Sequence, residues 1–471
     1  MSRHPSPLLT LGVACSLTSV LACCALAPAR TVTPALSSAA LINPASSGAA
    51  WPAAKWWQGY GDKTLDSMVE SALLQAPTLA AATARIEAAQ AAAAGVMAES
   101  QPELSANAQQ QRQRLSDNGL FPPRLLGFNW YSTSELGVAL KYSPDFSGRR
   151  AALAHASAAT VAMAQAERAA IELDVAAAVV ASYFDWQTYA SLLQLAEAQT
   201  GSLQQQAAVL RARERAGLSR GDELQTLELS RLTVADRARD YATSRDVSQA
   251  ELAALLRQPP AALPAMAVHA LPAVVAALPA DASIDLMARR PDLMARRLQV
   301  DYAVAHVEVA RAGFLPDLNL GALLGLSSLE LGKLLEAGSA SPQISAAVHL
   351  PLFDAGRTRA LHTQQRAELR AAVADYEAAL LAAAREVNTA LVSRASVAAQ
   401  LQLRDGQLQA GDQLRQLAVT RLDGGLTDQL PVLAQDQRLL ELRAARLNTQ
   451  HAQLRADLDL IRALGGGYGS H

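Results

Sequence analysis

The chain has 471 residues and a mass of 49.6 kDa, room for roughly three ordinary domains. It is 51% hydrophobic, only 4% aromatic and 18% charged, so its bulk buries apolar surface and is not disordered. A formal net charge of -2 gives no sign of the clustered basic surface that nucleic acid requires. The abundance of Ala, Leu, Gln, Glu and Arg favours long, closely packed helices in one extended architecture over a compact enzyme core.

All three cysteines, Cys15, Cys23 and Cys24, fall in the first 24 positions, which leaves the body without a disulfide or a cysteine-based metal site. Arg3 and the apolar run 8–21 read as an export signal. The run is short for a membrane helix, and Pro28 soon follows it. Leu21-Ala22-Cys23-Cys24 resembles a lipobox, in which cleavage falls just before a cysteine that is then acylated. Leu21 lies three residues before Cys24, which favours Cys24 as the lipidated residue. Cys23 is the alternative register, and secretion with an unmodified cysteine the plain one. Downstream, the long uncharged stretch 258–280 carries five prolines and His269, so it reads as a linker. If the chain crosses a membrane, β-strands must do it.

The body is duplicated. Gly148-Arg149 recurs as Gly356-Arg357, 208 residues on, and Gly217-Leu218-Ser219 recurs as Gly425-Leu426-Thr427 at the same spacing. Pro77 pairs with Pro291, and Pro102 with Pro316, both 214 residues apart. Two offsets in one order describe a tandem repeat with a small indel. The organisation expected is a signal peptide over 1–23 and an extended tether over 24–55. A first repeat over 56–260, a linker over 261–283, a second repeat over 284–465 and a tail over 466–471 complete it.

Each repeat opens with an Ala-rich helix, 78–99 or 292–313, with proline near its start. Alternating runs follow. Over 135–146, Leu136, Val138, Leu140 and Tyr142 are apolar, while Glu135, Gly137, Ala139, Lys141 and Ser143 are small or polar. Over 344–352, Ile344, Ala346, Val348, Leu350 and Leu352 oppose Ser345, Ala347 and His349. Runs 104–112 and 318–326 alternate more weakly. This period of two predicts strands with one apolar face. Leu136, Val138, Leu140, Ile344 and Val348 are expected to face lipid, and Glu135, Lys141 and His349 a lumen. Segments around Asn118-Gly119, Pro122-Pro123 and 339–342 read as the connecting loops.

No proline interrupts 148–217 or 356–425, so each stretch predicts a helix of about 68 residues, on the order of 100 Å. A second helix follows each glycine turn. In the last, Leu433, Leu440, Leu447, Leu454 and Ile461 recur every seven residues, a coiled-coil seam ended by Gly465-Gly466-Gly467. Four strands cannot close a barrel, and an open edge in lipid leaves backbone groups unpaired at several kcal/mol each. Three chains give about twelve strands, an even number within the range of outer-membrane barrels. The fold class is thus mainly α with a transmembrane β-barrel, closed by a homotrimer.

Read together, these residues resemble the TolC-type outer-membrane factors of tripartite efflux systems, in the lipoprotein branch called NodT-like. The resemblance runs from Trp56-Trp57 to Gly465-Gly466-Gly467. It is most specific at Arg289-Arg290-Pro291-Asp292, at Ala310-Arg311-Ala312-Gly313-Phe314-Leu315-Pro316 and at Leu352-Phe353-Asp354-Ala355-Gly356-Arg357. It implies a passive export conduit for drugs or other small toxic molecules. The expected partners are a periplasmic adaptor, an inner-membrane transporter and outer-membrane lipid, with no cofactor and no nucleic acid. It also implies adaptor-docking tips at Gly217, Leu218, Ser219, Gly425, Leu426 and Thr427. A constriction is implied just after the second tip. Relatives carry aspartates there at positions that are Pro431 and Ala434 in this chain, a departure from the pattern. Leu430 matches an apolar gate residue, and Asp428 and Asp436 stand near enough to supply an acidic ring, although a solvated helix face accounts for both equally well.

Other classes are weighed against this. Gly217-Leu218-Ser219-Arg220-Gly221 fits the G-x-S-x-G nucleophile elbow, but that motif needs a preceding strand, and a long helix is predicted there instead. His306 and Glu308 lack the i, i+4 spacing of a helical metal pair. No catalytic residues are expected. The alternative from another class is a periplasmic lipoprotein scaffold or adaptor with coiled-coil hairpins and no pore.

Overall fold

The computed structural model describes residues 28–29, 51–118, 122–218, 221–274 and 289–468. The signal peptide, most of the tether, both candidate lipidation sites Cys23 and Cys24, most of the linker and Ser219 therefore lie outside the described residues. The elements are α1 (Lys63–Gln75), α2 (Pro77–Ala98), β1 (Glu103–Arg114), the one-turn α3 (Pro123–Leu126) and β2 (Trp130–Tyr142). Then come α4 (Arg149–Arg215), α5 (Gly221–Leu255), α6 (Pro291–Ala312), β3 (Asp317–Ser328), β4 (Ala340–His349), α7 (Arg357–Asp423) and α8 (Leu430–Ala463). The series helix, strand, strand, long helix, shorter helix occurs twice. Both long helices, α4 and α7, have 67 residues, about 100 Å each.

The chain divides into two compact units, each drawn from both repeats. The first holds residues 85–164 and 296–376 and contains the sheet. Its order is β1-β2-β3-β4, antiparallel throughout. Two strands begin earlier than the alternation predicts. β2 starts at Trp130 and not near Glu135, because Tyr131, Ser132, Thr133 and Ser134 are hydroxylic on both faces and show no period. β4 starts at Ala340, so the segment 339–342 is largely strand and not loop. It contains Pro342, which stands in the first residues of β4, where a missing N–H costs the ladder least. Asp354 precedes α7 and holds its start, its carboxylate accepting from the backbone N–H of Gly356 (3.0 Å) and of Thr358 (2.8 Å). A hydrogen bond from the Thr358 hydroxyl, foremost, and those two backbone bonds hold the Asp354 carboxyl below the usual carboxylate range.

The second unit holds residues 37–84, 165–295 and 377–471, as far as they are described. Its core gathers Trp56, Trp57 and Tyr60 with Leu65, Met68, Val69 and Ala72 of α1. The 3–4 spacing of those α1 residues puts them on one stripe, against Val179, Val180, Tyr183 and Phe184 of α4 and Leu460 and Ile461 of α8. Asp62 caps α1 through the N–H groups of Thr64 and Leu65 and also accepts from the Tyr183 hydroxyl at 2.5 Å. Burial, reinforced by that bond, pushes the Tyr183 phenol up.

Arg290, from the Arg-Pro-Asp motif, is 7% exposed. It donates two hydrogen bonds to Asp292, one to Glu386 on α7 (2.9 Å) and one to the Ala463 carbonyl at the end of α8 (3.1 Å). Burial works against the Asp292 carboxylate, but the bidentate Arg290 outweighs it, and the Asp292 pKa is lowered. Arg290→Ala strands two half-exposed carboxylates and a buried carbonyl, and is expected to cost about 2–3 kcal/mol, read as a lower thermal midpoint. Since the folded pKa of Asp292 is depressed, its contribution is present above the ordinary aspartate pKa and disappears as pH falls through the lower folded value. The difference between wild type and Arg290→Ala should therefore shrink in acid. Beside this site Gly465 and Gly467 come close to other backbone, and Gly466 to the Leu173 side chain. A Cβ on Gly465 would sit 1.9 Å from the Arg289 carbonyl oxygen, and Gly465 has φ +88°.

Candidate functional site

The strand register sorts side chains into two faces. Leu104, Leu140, Ala322 and Ile344 share one row, and Ala106, Val138, Leu324 and Pro342 the next. Ala108, Leu136, Leu326 and Ala340 form a third, with Tyr142, Leu320 and Ala346 on the other side of the first. In the single chain most of these apolar side chains stand open, with Ile344 90% exposed. Such a face on a stable protein implies an apolar surrounding.

The opposite face is polar. Lys141 lies between Glu103 and Gly321, Glu135 between Gln109 and Ser327, and His349 opposite Asp317. All three predicted polar residues thus share one face, together with Asn107, Gln111, Asn319 and Gln343. Near Lys141 this face and the end of α2 line a recess of about 870 Å³ that includes Glu99, Arg150 and Ser345. The inventory is amides, hydroxyls and a few opposed charges, suited to water and not to one fixed ligand. Exposed Phe146, Leu352 and Phe353 follow the strands at the end joined to the long helices, and Phe128 and Trp130 lie at the hairpin end. Aromatic residues at both margins of an apolar band are the pattern of membrane-spanning strands.

The two helix-ending turns have the same hydrogen-bond geometry. Gly217 has φ +72° and Gly425 φ +67°. The Leu218 N–H reaches back to the Arg213 carbonyl (2.8 Å) and the Leu426 N–H to the Arg421 carbonyl (2.9 Å). Each is a Schellman-type ending in which glycine takes the left-handed position. The leucine that follows is 70% exposed at Leu218 and 81% at Leu426, with Thr427 half-buried beside the second.

Past the second turn, Asp428 caps Leu430 (3.0 Å) and pairs with Arg213 of α4 at 3.1 Å. Asp436 pairs with Arg415 of α7. Both candidate acidic-ring residues therefore hold arginines of their own chain. Half-buried Leu430 lines a recess with Leu210, Leu227, Pro431 and Ala434. These links join residues 215 and 21 positions apart and carry no local sequence signal.

The nucleophile-elbow reading lacks its setting, because Gly217 ends a 67-residue helix and follows no strand. His306 packs against Tyr302, with ring centroids 4.3 Å apart and the planes tilted by 48°. Among the described residues no group of three or more candidate ligands could hold a metal ion, and no helix is long and apolar enough to cross a membrane.

Comparison with known proteins places this arrangement. The family model for the outer membrane efflux protein matches residues 68–257 and 284–466. The chain is 31% identical over 430 residues to the multidrug resistance outer membrane protein MdtQ of Escherichia coli O6:H1, covering 89% of each chain. It is 31% identical over 447 residues to MdtP of Escherichia coli K12, covering 91% of this chain and 88% of that one. Among solved structures it matches the outer membrane protein VceC of Vibrio cholerae with a TM-score of 0.79 at 27% identity, over 88% of this chain and all of that one. The Campylobacter jejuni outer membrane channel CmeC shares the fold, with a TM-score of 0.81 at 21% identity over 94% and 95% of the two chains. A scaffold without a pore does not account for these matches. The duplicated helices, the two-faced sheet and the family match lead to one conclusion: the chain belongs to the outer membrane efflux protein family, the TolC-type channels, and is an efflux conduit of the outer membrane and not an enzyme.

Proposed function

We propose that three copies of the chain close a twelve-stranded barrel in the outer membrane and export drugs or other small toxic molecules as part of a tripartite pump. The observation that carries this reading is the sheet, with one apolar face, one polar face and free edges at β1 and β4. In lipid those edges must pair, and the next copy supplies an antiparallel partner because the number of strands per chain is even. The names of MdtQ and MdtP support multidrug export. A periplasmic adaptor docks on the exposed Leu218 and Leu426 tips and links the channel to an inner-membrane transporter, while Leu430 narrows the passage behind the second tip. The test is a deletion strain, which should become sensitive to exported antibiotics and regain resistance with the wild-type gene. Leu218→Cys and Leu426→Cys should cross-link to the adaptor, and cysteines at exposed mid-helix positions should not.

The mature N-terminus is anchored through Cys24 in the same reading. Mass spectrometry should find acyl groups on Cys24, and Cys24→Ser should remove them while the barrel keeps the protein in the membrane. Acyl groups on Cys23 would correct the register, and an unmodified terminus would remove the anchor.

A further inference from the structure

Where the apolar face ends, cations begin. Beyond the row of Ala108 and Leu136 come Gln110 with Ser134, then Arg112 with Ser132, then Arg114 with Trp130, all on the same face. Arg112 lies six residues past Ala106 of the middle apolar row, about 20 Å along the strand and, with the usual tilt, about 15 Å along the membrane normal. That is headgroup depth. The Arg112 guanidinium sits 5.7 Å from the centre of the Trp130 ring, which fixes its direction without neutralising it. It has no ion-pair partner among the described residues, and Arg114 has only the exposed Asp117 at 3.9 Å. Arg124 adds a third exposed cation on the same connection. At the opposite end of this face the corresponding positions are Pro144, Pro316 and Leu350, with no cation. The asymmetry singles out the hairpin end.

We infer that Arg112 and Arg114, oriented by Trp130, bind the phosphate of an anionic lipid headgroup in the outer leaflet. The inference rests on the proposed reading that the apolar face meets lipid and that the hairpin end points outward. A guanidinium offers a planar fork matched to phosphate oxygens, and the indole places an amphipathic ring at the same level. The binding would fix the height of the barrel in the membrane and seal its outer margin.

The test uses the purified full-length channel and native mass spectrometry with bisphosphorylated lipid A or its dephosphorylated form. Wild type should retain the phosphorylated lipid at least tenfold better. Arg112→Gln with Arg114→Gln should lower that retention about thirtyfold, two cations at about 1 kcal/mol each near a lipid surface. The double lysine variant should keep most of it. Equal retention of both lipids by wild type, or unchanged preference in the glutamine variant, would overturn the inference. A fluorophore at Val138→Cys or Ala139→Cys, read with a lipid-borne quencher, separates the two levels. Quenching at 138 alone upholds the face reading, so a lost phosphate preference then counts against the headgroup site only. Quenching at 139 alone overturns both.

Discussion

Replacing Val138 by arginine should cost about 2–4 kcal/mol per chain and deplete the heat-resistant trimer, whereas arginine at Ala139 should leave it nearly intact. Val138 lies in the middle apolar row, between Ala106 and Leu324. An arginine there carries its charge to the centre of the hydrocarbon, too far from either surface for the side chain to reach water. Ala139 is one residue away on the polar face, between Ser105 and Leu323, where a charge meets water. The measurement is the fraction of trimer surviving in a gel without boiling, together with unfolding in lipid vesicles. Equal loss from both substitutions would contradict the assignment of faces.

Aspartate at Gly217 or Gly425 should abolish export while leaving the trimer at wild-type abundance. A Cβ at either glycine meets open space, so the local cost comes from the left-handed backbone alone, about 1–2 kcal/mol. That is small for a chain stabilised by helices of 67 residues and a large shared core. The expected effect on function is larger because the charge lands beside Leu218 or Leu426, the exposed leucines proposed above as the adaptor's contacts. Compensating changes in the adaptor tip should restore export. Leu430→Ser should act differently, keeping adaptor cross-linking but raising leakage of large antibiotics. Normal export by both glycine variants would move the docking site elsewhere.

Much of this architecture is legible in the residues. The absence of proline between Gly148 and Gly217, and between Gly356 and Gly425, announces the two long helices, and the equal offsets announce the duplication. The strand ends are harder to read. On β1, Gln110, Arg112 and Arg114 continue the face of Ala108 as polar residues, so alternation fades although the strand continues. Only the register with Ser134, Ser132 and Trp130 shows that these residues share a face with Val138. The tips are visible because glycine marks a left-handed position. The state of Asp428 and Asp436 is invisible locally, since Arg213 and Arg415 reach them through packing between helices.

The most direct test of the central claim, that this chain encloses a water-filled passage through the outer membrane, is current recorded across a planar lipid bilayer containing the purified full-length protein. The account predicts discrete, equal conductance steps, small for wild type and larger for Leu430→Ser. A membrane-inserted trimer that carries no current, in either form, would contradict it.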